Sequence, residues 1–237
     1  MSRSPQLALA LRLRGASSLD SFIAGDNGLL LAALAELAEC AQGQLFLWGE
    51  AGTGRSHLLE GAVRERGETG CFLSGRELRS LSPAVLEGLE RFDLVAVDDV
   101  DLLAARPEWE EALFHLYNSV RDRGGAMVFA ARAAPAGCGF ALPDLASRLA
   151  AGPVWQLRPL GDEGLVALIR QRGVAAGLDI SDEAARYLMA RTARNAAAIC
   201  AEVDRLDGLA MAHQRRLTIP FIRAVEPAPG GISLTKL

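Results

Sequence analysis

Long apolar runs are missing from this 237-residue chain: none reaches the roughly 18 to 20 residues needed to cross a bilayer, so no membrane association is expected. The opening Met-Ser-Arg-Ser-Pro-Gln-Leu lacks the apolar centre and small-residue cleavage site of a secretory leader, which makes the cytoplasm the expected location. Cysteine is sparse. Cys40, Cys71, Cys138 and Cys200 stand far apart with no C-x-x-C pair, and His57, His115 and His213 do not join them in a ligand pattern; a disulfide framework and a structural zinc are both unexpected. A basic surplus is missing too: the net charge is −4 and the pI about 5.5. Nucleic-acid phosphates and anionic membranes are therefore not attracted by the chain as a whole, and strong direct DNA binding is not expected. Nor is there an internal repeat or a heptad run.

What is there begins at Gly49. Residues 49 to 56 read Gly-Glu-Ala-Gly-Thr-Gly-Arg-Ser, a phosphate-binding loop of the G-x-x-x-x-G-K-[ST] type with Arg55 at the lysine position. Glycines let consecutive backbone N–H groups face a phosphate chain, the helix that follows adds its positive end, and Ser56 can ligate Mg²⁺. Arginine keeps the charge of lysine but is a longer, planar fork, so the geometry offered to β- and γ-phosphates changes. A bound nucleotide is expected more readily than its turnover.

The surrounding pattern is that of alternating strands and helices. Short apolar runs predict strands at Gln44 to Trp48, Cys71 to Leu73, Leu94 to Val97, Ala126 to Ala130 and Val154 to Leu157, with the glycine loop directly after the first. Leu58, Leu59, Ala62 and Val63 share one helical face, and from Pro107 the residues Trp109, Ala112, Leu113, Leu116, Tyr117 and Val120 form an amphipathic helix. Such alternation argues for an α/β fold with a parallel sheet covered on both faces. Past Pro159 the strand signal stops. Helices are expected after Asp162-Glu163, after Ser181-Asp182-Glu183, along Ala196, Ile199, Val203, Leu206 and Ala210, and briefly after Thr218.

Asp98 closes the third strand, a position from which a carboxylate reaches a Mg²⁺ shell, and Asp99 follows where hydrolysing proteins of this layout often carry glutamate. On residues alone, the pair can also be a plain strand end that caps the next segment. In the fourth strand Phe129 and Ala130 offer no side chain that can hydrogen-bond a γ-phosphate or a water.

With loop, Asp-Asp strand and helical lid together, the chain resembles the AAA+ ATPases, and within them the branch of the bacterial replication initiator DnaA and its shortened relative Hda. The blocks that carry the likeness are Phe22-Ile23-Ala24-Gly25-Asp26-Asn27, Leu47-Trp48-Gly49, Gly54-Arg55-Ser56-His57-Leu58-Leu59, Trp109-Glu110 with Leu116-Tyr117-Asn118, Leu142 to Leu149, Arg158-Pro159-Leu160 and Arg216 to Phe221. The resemblance implies an AAA+ P-loop domain with a five-stranded parallel sheet over residues 18 to 159. A small all-α lid over 160 to 226 follows it. A flexible tail at 1 to 17 and a disordered one at 227 to 237 flank these domains. It implies an adenine nucleotide, ADP favoured, held with Mg²⁺ by Phe22, Ile23, Gly49, Gly52, Thr53, Gly54, Arg55, Ser56, His57 and Asp98, with Ser56 and Asp98 nearest the metal.

Further implications concern partners. Arg148 falls at the family's arginine-finger position, although on residues alone it can instead pair with Asp144 one turn earlier. Gln6, Leu7, Leu9 and Leu11 resemble the peptide that docks on the DNA polymerase sliding clamp, with Ala10 where the family has proline; the alternation also fits an edge strand. At the lid position of a second sensing arginine stands Ala197, one turn after Arg194. The helix-turn-helix domain of DnaA has no counterpart here, so recruitment to DNA is expected to be indirect. The function so implied is the regulation of replication initiation: stimulation of hydrolysis of DnaA-bound ATP in trans, with little ATPase activity of the chain's own. The alternatives are an autonomous AAA+ ATPase using Arg55, Ser56, Asp98 and Asp99, and a helicase-loading or recruitment adaptor. A homo-oligomer is compatible with either.

Overall fold

A computed structural model describes residues 17–213 and 219–225; the peptide at Gln6 to Leu11 and the tail from residue 227 lie outside it. In chain order the elements are α1 (Gly28–Cys40), β1 (Gly43–Trp48), α2 (Arg55–Arg66), β2 (Gly70–Ser74), α3 (Gly75–Leu78), β3 (Leu94–Asp98), α4 (Pro107–Asp122), β4 (Ala126–Ala131), α5 (Pro143–Ala150) and β5 (Val154–Gln156). After these come α6 (Asp162–Ala175), α7 (Asp182–Arg191), α8 (Ala196–His213) and α9 (Ile219–Val225). All five strands are parallel, in the order β2-β3-β4-β1-β5. The five expected strands and the amphipathic helix from Pro107 are found; α1 is an addition.

The sheet is buried because its two faces carry separate apolar layers. Period-two alternation sends Met127, Phe129 and Ala131 to one layer, with Trp109, Leu113 and Leu116 of α4 and Leu145 and Leu149 of α5. Ala126, Val128 and Ala130 go to the other, with Leu30 and Leu34 of α1 and Leu58, Leu59 and Ala62 of α2. A strand with both faces covered reads as a continuous apolar run, which is how β3 and β4 look. β5 is the sheet's edge, and Val154 and Gln156 there are exposed.

Chain packing divides into two compact units, one ending at Arg158 and the other starting at Pro159. The second is all helix. Leu165 and Ile169 of α6, Ala185 and Leu188 of α7, and Ile199, Val203 and Leu206 of α8 form its core with Ile222 of α9. Arg172 of α6 holds the Asp204 carboxylate of α8 in a forked pair at 2.6 and 2.8 Å. Ser181 caps α7 by accepting the Ala184 N–H at 3.2 Å. Ser181→Ala should cost about 1 kcal/mol, read as a shift of the urea midpoint.

Candidate phosphate-binding site

In a parallel sheet all strand ends point the same way, so the loop after β1 and the carboxylates after β3 open on the same edge. Val97 of β3 is opposite Phe129 of β4, and Trp48 of β1 is opposite Ala131. β4 lies between the strands that carry the polar groups and ends in buried alanine, so its last residues add no hydrogen-bonding side chain. The turn of the loop requires its glycines: Gly52 and Gly54 have φ of 81° and 106°. These are left-handed values that turn successive N–H groups toward one concavity. Gly49 starts the loop by donating its N–H to the Ala131 carbonyl at 3.2 Å. Thr53 is buried and donates to the Glu50 carbonyl at 2.9 Å, closing the turn from inside.

Arg55 and Ser56 open α2 and turn to different acceptors. The Ser56 hydroxyl is exposed and donates to the Asp98 carboxylate at 2.5 Å. Asp98 also accepts the Asp99 N–H at 2.9 Å. Burial raises the Asp98 carboxyl above its ordinary range, and the neighbouring Asp99 adds to that, while the Ser56 bond opposes it. A hydroxyl and a carboxylate at hydrogen-bond distance form an oxygen donor set suited to a hard cation that brings its own waters and phosphates. Among the described residues no group of three His, Cys, Asp or Glu can hold a metal alone.

Arg55 lies inward. Its guanidinium donates to the Gly49 carbonyl at 2.9 Å and to Asp99 at 3.2 Å. Asp99 is itself in a left-handed conformation (φ 47°) and is shared, since Arg76 donates to its other oxygen at 3.3 Å. The carboxylate that follows the strand is therefore held between two arginines, which a sequence scan misses because Arg76 belongs to no motif.

Phe22 and His57 form the other wall. A methyl group on Gly54 would meet the Phe22 ring at 2.9 Å, so that ring lies directly on the loop. The His57 ring is 5.9 Å from it, and His57 Nε2 is 3.0 Å from the Ser18 carbonyl. Ile23 is half-buried beside Phe22. Asn27 fixes this leading segment by donating to the Arg158 carbonyl at 3.0 Å and accepting the Arg158 N–H at 2.8 Å. The structure thus brings together the loop, Asp98, Phe22, Ile23 and His57.

Arg148 stands apart. It lies in the last turn of α5, half-buried, and its side chain makes no hydrogen bond or ion pair with any described residue; the alternative pairing with Asp144 is not formed. The Arg148 carbonyl accepts a hydrogen bond from Gln44 at 2.8 Å. Gln44 is near the start of β1, whereas the loop follows its end. Five residues of strand, about 16 Å, separate the two ends, more than an arginine side chain spans. In the helical unit Ala197 is exposed in the first turn of α8, and Arg194 pairs with Asp162 at 3.3 Å.

A glycine loop after β1, carboxylates after β3, this strand order and an all-helical second unit make up an AAA+ P-loop fold. Solved structures share that fold. Domain III of the replication initiation protein DnaA from Thermotoga maritima superposes with a TM-score of 0.78 at 19% identity, over 90% of this chain and 96% of that one. AMPPCP-bound DnaA from Aquifex aeolicus gives 0.70 at 20%, over 86% and 69%. The Thermotoga maritima RuvB Holliday junction branch migration motor gives 0.67 at 21%, over 90% and 71%. Residues 162–225 match the family described as Hda, lid domain. The helical unit thus carries the Hda lid match, and the chain as a whole shares the AAA+ fold of DnaA.

No helix among the described residues is long and apolar enough to cross a membrane.

Proposed function

We propose that this protein regulates replication initiation by supplying Arg148 to ATP held on the initiator DnaA, while its own loop holds an adenine nucleotide, ADP favoured, as a structural ligand. The observation that carries the reading is the placement of Arg148: without a side-chain partner among the described residues, and at the opposite end of β1 from the protein's own loop. An arginine so placed cannot serve the nucleotide of its own chain and is available to another's. A guanidinium brought to a transferring phosphoryl group stabilises the charge that develops there.

The weakness of the chain's own catalytic set supports the same reading. Asp99, the nearest candidate to orient a water, is engaged by Arg55 and Arg76. Phe129 and Ala130 give β4 no polar tip. Holding a nucleotide needs less: the loop's N–H groups for phosphates, and Ser56 with Asp98 toward Mg²⁺. Bound there, Mg²⁺ would neutralise phosphate charge. Phe22, Ile23 and His57 would then line the side of the site that takes the base.

Recruitment is assigned to Gln6, Leu7, Leu9 and Leu11, whose glutamine amide and leucines suit a polar and apolar pocket pair on the sliding clamp. Ser17 anchors the chain just after this peptide by donating to the buried Glu60 carboxylate at 2.8 Å. The test is a pull-down with clamp loaded on DNA. The full chain should be retained and a chain lacking residues 6 to 11 should not. Equal retention of both, or retention by helicase in place of clamp, would favour an adaptor of another kind.

A further inference from the structure

We infer that Gln44 and Tyr117 are positioning residues for Arg148: together they fix the backbone from which that arginine is presented. The inference rests on the reading of Arg148 as a finger and gives Gln44 and Tyr117 a role that the sequence alone does not assign.

Gln44 is a two-ended bridge. Its amide NH₂ donates to the Arg148 carbonyl at 2.8 Å, and its amide oxygen accepts from the Tyr117 hydroxyl. The orientation of the amide follows from chemistry. A backbone carbonyl can only accept, so the NH₂ must face Arg148, which leaves the oxygen for the tyrosine. Both supports are rigid. Tyr117 is 5% exposed in the middle of α4, and Gln44 belongs to β1, paired with β4 on one side and β5 on the other. Space has been left for the bridge: a methyl group on Gly152 would sit 2.4 Å from the Gln44 Cγ and 2.8 Å from its amide nitrogen.

The last carbonyls of a helix have no partner within it. At Arg148 that carbonyl takes Gln44 as well as the Ala151 N–H, the latter at 3.2 Å. α5 buries only Leu145 and Leu149. Two leucines set which face of a short helix is inward but leave its shift along and about that stripe to the ends. Since the Arg148 side chain has no partner of its own among the described residues, its aim is inherited from this backbone. Displacing a reacting group by about 1 Å can cost on the order of 10²-fold in rate.

Gln44→Glu tests this with little change of volume. The carboxylate still accepts from Tyr117 but opposes the Arg148 carbonyl where the amide donated. Tyr117→Phe removes one hydroxyl and is the second, milder variant. Both are assayed with clamp on DNA and ATP-loaded DnaA, beside Arg148→Ala. The maximal rate of hydrolysis should fall at least about tenfold for Gln44→Glu and several-fold for Tyr117→Phe, with the half-saturating concentration of chain unchanged. Clamp retention should also be unchanged. Parent-like rates for both variants while Arg148→Ala is dead would overturn the positioning role and leave the finger standing. A raised half-saturating concentration at an unchanged maximal rate would also overturn it, since that marks lost partner binding. If Arg148→Ala hydrolyses as fast as the parent, the finger reading falls, and the positioning role falls with it.

Discussion

Arg148→Ala is expected to abolish stimulated hydrolysis of DnaA-bound ATP, a loss of about 10³-fold or more, without unfolding the protein or releasing its nucleotide. The size follows from what an arginine finger does. It is not worth much in the ground state, where water solvates the γ-phosphate, but it meets charge spread over the transferring phosphoryl group in a site closed to solvent. The lack of structural damage follows from its surroundings. The side chain is half-buried and bonds to no described residue, while the carbonyl that Gln44 uses belongs to the backbone and is kept by alanine. Arg148→Lys should rescue little, since one ammonium cannot reproduce the planar fork. The checks are single-turnover hydrolysis with clamp on DNA, circular dichroism, and the nucleotide content of the purified variant.

The largest expected effect on stability lies at Glu110. This residue is 1% exposed in the first turn of α4, yet it is charged. Its carboxylate accepts three backbone N–H groups: Ala105 at 2.7 Å, Ala141 at 3.0 Å and Leu142 at 2.6 Å. A buried charge is tolerable only when so satisfied. Hydrogen bonds to a charged group are worth about 1.5 to 3 kcal/mol each, and removing the acceptor takes the shared partner from three backbone N–H groups at once. Glu110→Ala should therefore lower the unfolding free energy by about 4 kcal/mol or more, a value that only a few mechanisms reach. Glu110→Gln keeps one strong acceptor and should lose roughly half as much. Denaturation in urea monitored by Trp fluorescence reads both. Because Leu142 directly precedes α5, the alanine variant should also lower stimulated hydrolysis at temperatures where it remains folded.

How much of this was legible in the sequence depended on whether the signal was local. The phosphate loop is contiguous, and its strand-to-helix setting lies within a dozen residues on either side. β3 and β4 announced themselves because a strand buried on both faces is apolar throughout. α1 did not. Its run of Leu29, Leu30, Leu31, Ala32, Ala33, Leu34 and Ala35 is apolar on every side, and Leu29 is 77% exposed in spite of it. A helix whose apolar residues do not form one stripe leaves no periodicity to find. The supports of the site were hidden for a different reason. Glu110 acts on Ala141 across 31 residues, Tyr117 meets Gln44 across 73, and Gln44 meets Arg148 across 104. Glu110 and Tyr117 fall in blocks that carry the family likeness, but nothing local to them or to Gln44 names the partner, and only the fold brings the pairs together. Arg55 shows the same limit in reverse. The sequence announces an arginine in the lysine position, but not that Asp99 and the Gly49 carbonyl would both claim it.

The central claim is that the chemistry governed by this protein occurs on another chain's ATP. Single-turnover hydrolysis with γ-labelled ATP placed on only one partner at a time tests that claim most directly, in the presence of clamp on DNA. Label carried by DnaA should be released as phosphate when the parent protein is added and stay bound when Arg148→Ala is added. Label loaded on this protein should stay intact in both cases. Rapid release from this protein's own loop, abolished by Asp98→Asn and indifferent to Arg148→Ala, would contradict the account and make the chain an ATPase in its own right.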